Sequence, residues 1–372
     1  MILILTQCFP SRIGGIESLI SNLAVGLSKN ENTIVFADRH NFYHDNIFDQ
    51  KHKESFLVRR TGGIKFFRRR KKIKEMKLLI MSKQVKLVIA DSWKSLELAI
   101  DFLNSNDIPV FCLAHGNELL SKKIKKLKTI KDIYNKSTKV IANSLYTKDL
   151  IKKIISPNTT VEFIYPGAFD LRNLNATKMS ISTGYPVILT LARLEKRKGH
   201  SFVIESVKKL LPDFPQIQYI IAGKGPEEQN LKKIVEKNKL KNNIVFVGEV
   251  NDLQKKYLFE NTNLMVMPTL DEIDNRSIEG FGIAYLEAAF FEIPSIASNI
   301  GGTTEAVLHN ETGIIINRID ELESVLRDLL NNKEKIIQLG VRAKKRALKE
   351  FQWNNVIKKY LSLTSSLKIN LK

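Results

Sequence analysis

Cysteine is almost missing from this 372-residue chain, with Cys8 and Cys112 its only two. Thiols that far apart supply neither a disulfide framework nor a cysteine-based zinc site, and they suit a reducing compartment. Long apolar runs are missing as well: no window approaches the roughly 18 to 20 uncharged residues of a membrane span. The opening MILILTQCFP lacks a basic leader region, and its apolar run is too short for a secretory signal, so it reads as a first buried strand. Tandem repeats and low-complexity tracts are absent too. The expectation is a cytoplasmic protein, soluble or peripheral on the inner face of the membrane.

What is present is an ordinary globular balance, 43% hydrophobic and 26% charged, over a length sufficient for two domains. The charge is lopsided. The formal net value is +20, with 29 Lys/Arg against 16 Asp/Glu in residues 1–170 and 30 against 23 in the remainder. A positive field attracts nucleic acid, anionic lipid or phosphorylated substrates; a lysine-rich composition by itself also produces one.

Short apolar runs alternate with helical segments. ILILT is followed by GIESLISNLAVGLSK, in which Ile16, Leu19, Ile20, Leu23, Ala24 and Leu27 recur at helical spacing. NTIVFA, KLVIAD, PVFCLAH and KVIANS continue the series. After YPVILTLAR the rhythm restarts with QYIIAGKG, NIVFVGEV, LMVMPT, PSIASN and GIIIN. This alternation predicts an α/β protein whose parallel sheets are covered on both faces. Two series predict two Rossmann-like domains, 1–168 and 186–351, with a turn-rich linker over 169–185. The tail FQWNNVIKKYLSLTSSL reads as an amphipathic helix with Phe351, Val356, Tyr360 and Leu361 on one face.

Ligands of open α/β sheets bind beyond the carboxyl ends of the strands, so the residues after each strand are the candidates. Gly14 and Gly15 precede a helix, where bare backbone N–H groups can approach a phosphate; a plain strand-to-helix turn explains them equally. His115 follows PVFCLA, as a cleft residue or a structural one. Asn143 and Ser144 need no more than a helix-capping role. In RLEKRKGH, Arg193 and Lys198 place two cations at a strand end, which suits a diphosphate, or simply a solvated basic loop. Gly223 opens GKGPEEQNL, a nucleotide-side loop or an ordinary helix start. In EGFGIAYLEAAF, the turn Gly280-Phe281-Gly282 offers free N–H groups where a helix begins at Ile283. A phosphate would repel Glu279 and Glu287, so both suit hydroxyl groups instead, one of a sugar and one of a ribose. A helix with acidic flanks is the plain alternative.

Taken in order, GGIES, AHGNEL, ANSLYT, YPGAFD, ARLEKRKGH, AGKGPEE, FVGEV, MPTL and EGFGIAYLEAAFFEIPSIASNIGGTTEAV resemble the retaining glycosyltransferases of family 4, which have the GT-B fold. The last segment is similar to the family's E-x7-E mark, and the resemblance covers almost the whole chain. It implies two Rossmann-like domains facing across a deep cleft. The N-terminal one would take the acceptor and the C-terminal one the nucleotide-sugar, with a final helix over 352–372 crossing back. Matched by motif, Arg193 and Lys198 resemble the diphosphate cations and Glu279 the residue holding the donor sugar's hydroxyls. Gly280, Phe281, Gly282 and Ile283 resemble its backbone contacts, and Glu287 the ribose ligand. Gly223 resembles a nucleotide-side glycine, Gly15 the N-domain backbone at the phosphates, and His115 the cleft histidine. The polar lead-in with Asp271, Glu272, Asp274 and Arg276 is similar to that of lipid-linked mannosyltransferases. Asp271 and Asp274 do not form the DxD pair of metal-dependent enzymes, so the resemblance implies no metal and no other cofactor.

The implied activity is a metal-independent hexosyltransferase. It would move a sugar from a UDP- or GDP-linked donor to a glycan or lipid-linked acceptor, with retention, in cell-envelope polysaccharide or lipopolysaccharide synthesis. The rivals are a sugar-nucleotide epimerase of the same fold and a basic nucleic-acid- or membrane-binding protein without catalysis. The basic runs lack the interleaved aromatics and motif spacing of a nucleic-acid module, so no nucleic-acid partner is expected. IKFFRRRKKIKEMKLLI (64–80) and SKKIKKLKTIKDI (121–133) mix Lys and Arg with Phe66, Phe67, Ile73, Leu78, Ile124 and Leu127. That mixture suits an anionic membrane surface, the plain alternative being a solvated outer helix.

Overall fold

The alternation of apolar runs becomes two parallel sheets. The computed structural model describes residues 1–181, 184–271 and 278–367. The chain divides into one unit of Met1–Gly167 plus the segment that begins at Trp353, and a second unit of Ala168–Gln352. Among the described residues no helix is long and apolar enough to cross a membrane.

The first unit holds β1 (Ile2–Leu5), β2 (Thr33–Asp38), β3 (Leu57–Thr61), β4 (Leu87–Ala90), β5 (Val110–Ala114), β6 (Lys139–Ala142) and β7 (Val161–Phe163). Their order is β3-β2-β1-β4-β5-β6-β7. In register, Ile2 of β1 lies between Thr33 and Leu87. Strands β1, β4 and β5 are buried at every residue, because helices cover both faces of the sheet and leave no position for a polar side chain. The edge strands β3 and β7 escape the apolar pattern. LVRRT owes its place to Arg60, whose buried guanidinium meets Asp45 at 3.2 Å and Asp49 at 2.8 Å.

The C-terminal helix Trp353–Ser365 packs on the helix Gly15–Ser28, and Ile357 fills the space that Gly26 leaves for want of a side chain. Val356, Ile357 and Tyr360 join Leu19 and Leu23 in one core. Phe351 does not share that face, contrary to the expectation. The helix Lys333–Glu350 ends just before it, and its ring packs edge-on against Phe281 at 5.8 Å in the second unit. The turn at Phe351–Gln352 separates two helices that the sequence pattern runs together.

The second unit holds β8 (Val187–Leu191), β9 (Gln218–Ala222), β10 (Ile244–Gly248), β11 (Leu264–Met267), β12 (Ser295–Ser298) and β13 (Gly313–Ile316), in the order β10-β9-β8-β11-β12-β13. The expected linker contains a short 3-10 turn, Leu171–Asn173, which belongs to this unit. Strand order reverses between β1 and β4 in one sheet and between β8 and β11 in the other. Those reversals open the crevices in which such sheets bind ligands.

Candidate active site

In the second unit, the chain leaves β8 and forms a 3-10 turn, Lys196–Lys198, before the helix His200–Leu210. Gly199 stands between them with φ 72, and a side chain there would strike the Pro268 carbonyl beyond β11. The β8 and β11 loops therefore touch, and the Leu270 N–H donates to the Arg197 carbonyl at 2.7 Å. This contact fixes a buried charge cluster. The Lys198 ammonium binds Oε2 of Glu279, and the Arg197 guanidinium donates to the same oxygen at 3.1 Å. Arg197 also holds Glu195 at 3.0 Å. Burial of Glu279 disfavours its charge, but Lys198 and then Arg197 more than offset this, so its carboxyl lies below the usual carboxylate range.

Arg193 is not part of this cluster. Its side chain is 75% exposed and pairs with Glu195 at 3.1 Å. Arg197, at 16% exposure, occupies the inner position. Nothing in the spacing of RLEKRK distinguishes Arg197 from its neighbouring cations. The acid at Glu195 was the available sign of a network.

Gly282, with φ 96, starts the helix Ile283–Phe290, and no side chain caps that helix. Its first backbone N–H groups are the ones a helix cannot satisfy internally. A side chain at Gly282 would collide with the Tyr285 ring. Phe281 turns into the core, so a ligand contact at Gly280 or Phe281 is made by backbone. Glu287, one turn into the helix, is buried against Lys255 at 3.2 Å, and Lys255 also reaches Asp252 at 3.2 Å. Burial pushes the Glu287 carboxyl up, with Lys255 pulling the other way. Lys255 was not legible in the sequence, where it is one lysine in a run on a helix start. Gly223 follows β9, packs on Ala192 at the root of the β8 loop, and donates to the Gly248 carbonyl at 2.7 Å. His200, next to the cluster, is buried with neither ring nitrogen hydrogen-bonded; burial and then Lys198 pull its pKa down to about 4.

In the first unit, Gly15 is the first residue of its helix. The loop before it is clamped by two aspartates. Asp91 accepts from the Thr6 hydroxyl at 2.7 Å and the Gln7 N–H at 3.0 Å. Asp45 accepts from the Ser11 hydroxyl at 2.8 Å. The Asp91 carbonyl also meets Nε2 of His115 at 2.7 Å. A carbonyl only accepts, so Nε2 is the donor in this contact. Of the polar lead-in, Asp271 is described, while Glu272, Asp274 and Arg276 lie outside the described residues.

The basic stretches form the helices Lys65–Ser82 and Ile124–Lys136. Ile73, Met76 and Leu79 face inward on the first, and Lys72 is buried there against Asp38 at 2.6 Å. Ile64, Phe66, Phe67, Leu78, Met81 and Ile124 are exposed. The Lys94 ammonium lies below its ordinary pKa through burial and then through Lys65 and Arg69, with Glu97 opposing and Lys126 adding to the shift.

Two parallel sheets, each with a strand-order reversal, are the sheet architecture of the GT-B fold. Two family models match the chain, Glycosyltransferase Family 4 over residues 13–168 and Glycosyl transferases group 1 over residues 172–346. The chain belongs to that family and is an enzyme of the hexosyltransferase class. The GDP-mannose-dependent alpha-(1-6)-phosphatidylinositol monomannoside mannosyltransferase of Mycolicibacterium smegmatis is 24% identical over 364 residues, 94% of each chain. Its Mycobacterium tuberculosis counterpart is 23% identical over 260 residues, 67% of this chain and 68% of that one. Among solved structures, Anabaena HepE in complex with UDP and glucose has a TM-score of 0.78 at 20% identity, covering 98% of this chain and 99% of that one. That likeness is one of fold.

Proposed function

We propose that the chain transfers a hexose, mannose in the first instance, from a nucleotide-sugar to a lipid-linked glycan acceptor. The transfer retains anomeric configuration, needs no metal, and serves cell-envelope polysaccharide or lipopolysaccharide synthesis. The observation that carries this reading is the Lys198–Arg197–Glu279 cluster beside an uncapped helix start. Mannose is preferred over glucose on the names of the full-length relatives.

In this reading Lys198, Arg193 and the helix start at Ile283 stabilise the charge that builds on the leaving diphosphate. Glu279 accepts hydrogen bonds from the donor sugar and Glu287 from the ribose. The bond from the anomeric carbon to the diphosphate breaks while the acceptor oxygen bonds to the same face. The acceptor's proton passes to the departing diphosphate oxygen, so no protein base is required. Glu279 is ionised and held by two cations on one oxygen, which suits a fixed acceptor better than the nucleophile of a double displacement. The exposed apolar residues on the two basic helices suit docking on an anionic membrane that presents the acceptor.

The test incubates the enzyme with radiolabelled GDP-mannose or UDP-glucose and a bacterial lipid extract. Label should enter the organic phase, and the anomeric coupling of the product should match the donor. Conversion of the nucleotide-sugar without any acceptor would favour the epimerase instead.

A further inference from the structure

We infer that Arg197 is the standing counter-ion of Glu279, a positioning residue that frees Lys198 for the donor's diphosphate; this rests on the donor-site reading above. Both cations now sit on one carboxylate oxygen, Oε2, which leaves Oε1 to accept from a sugar hydroxyl. A bound diphosphate brings further negative charge beside Glu279. Without Arg197, Lys198 would have to serve the diphosphate and the carboxylate at once, and the carboxylate would be left short of positive charge. Arg197 removes that conflict. Its guanidinium is a rigid fork, anchored on one side by Glu195 at 3.0 Å and joined on the other to Glu279 at 3.1 Å. Its own carbonyl is pinned by the Leu270 N–H at 2.7 Å. Arg193, which starts the same loop, also pairs with Glu195, at 3.1 Å, but its side chain is 75% exposed.

Among the described residues, few groups surround Glu279. Lys198 and Arg197 face it from the β8 loop, with Glu195 behind Arg197. Tyr285 faces it from the helix Ile283–Phe290, its phenol pushed up by burial and then by Glu279 itself. His200 stands beside Lys198. Removing Arg197 therefore takes away one of the two compensating charges found among the described residues, and Glu279 must take up its proton at higher pH. A protonated Glu279 is a weaker acceptor for the sugar, while the diphosphate contacts of Lys198 persist.

The experiment is calorimetric titration of the full chain with GDP and GDP-mannose, and with UDP and UDP-glucose, between pH 5 and 8. The readout is the ratio of nucleotide-sugar affinity to nucleotide affinity, which isolates the sugar's share. Arg197→Gln should lower this ratio about tenfold at pH 6 and move its acid decline to higher pH, and Arg197→Lys should restore both. Affinity for the nucleotide alone should fall less than in Lys198→Ala. A ratio that declines at the wild-type pH in Arg197→Gln, or a nucleotide affinity as low as that of Lys198→Ala, overturns the assignment. If Glu279→Gln keeps the wild-type ratio, or neither donor pair binds wild type, the donor-site reading itself fails and the assignment with it.

Discussion

Lys198 is the residue from which the account asks most. It is buried, it touches Glu279, and in the proposed reaction it faces the leaving group. Loss of such a preorganised donor costs about 10²–10³ in turnover, so Lys198→Ala should lose that much kcat in protein that still melts cooperatively. Steady-state kinetics beside a thermal melt would show it, and full turnover would refute the role. His200 carries a separate pH prediction. Its folded pKa is depressed to about 4 by burial and by Lys198, so the unfolded chain binds the proton first as pH falls. Stability is therefore constant above the unfolded value and is lost between about pH 6.5 and pH 4, by roughly 2 kcal/mol at pH 5. His200→Leu should flatten that decline in melts taken across the range; parallel curves would contradict it. At this scale the sequence disclosed the ends of the cluster but not its middle. Lys198 and Glu279 are marked by spacing and by neighbouring glycines. Arg197 and Arg193 are chemically identical, and only the touching β8 and β11 loops decide which one is inside.

Elements repeat the lesson. The helix Lys65–Ser82 reads as a basic, solvated rod, yet Lys72 is buried and ties the helix to Asp38 and to the Thr6 carbonyl at 2.5 Å. Burial lowers its pKa, with Asp38 opposing, so the ammonium is kept by its partner. Lys72→Ala leaves Asp38 buried with half its neutralisation, a loss of about 3–5 kcal/mol. The lower end applies, because Arg68 also pairs with Asp38 at 3.0 Å. Urea unfolding checks this, and a loss well under 1 kcal/mol would show Lys72 to be incidental. The other face of the same helix makes the opposite prediction. Phe66→Ser with Phe67→Ser should weaken sedimentation with anionic liposomes severalfold and leave the melting temperature unchanged, since both rings are exposed. Equal binding by variant and wild type would leave the face without a membrane role. Strands β3 and β7 were illegible for a related reason. LVRRT carries Arg60 because Asp45 and Asp49 neutralise its buried guanidinium, and a pattern search for apolar runs passes over such a strand.

At the scale of the molecule, the order of strands and loops was legible because parallel sheets demand near-continuous apolar runs with ligand loops after each. The two sheets, the helix at Ile283 and the capped helix at Ser144 all follow from that reading. The join between units was less so: Phe351 and Val356 share an apolar pattern but belong to different cores, and periodicity cannot register a two-residue turn. Family membership then came from the ordered set of loops, and the charge cluster gives that set a chemical centre. The central claim is that Lys198 and Glu279 form the site of the transferred sugar's nucleotide donor. It is tested most directly by thermal shift of wild type, Lys198→Ala and Glu279→Gln with GDP, GDP-mannose, UDP and UDP-glucose. One donor pair should stabilise wild type by mass action, Lys198→Ala should lose the response to nucleotide and nucleotide-sugar alike, and Glu279→Gln should lose only the additional response to the sugar. Equal shifts in all three proteins would contradict the account.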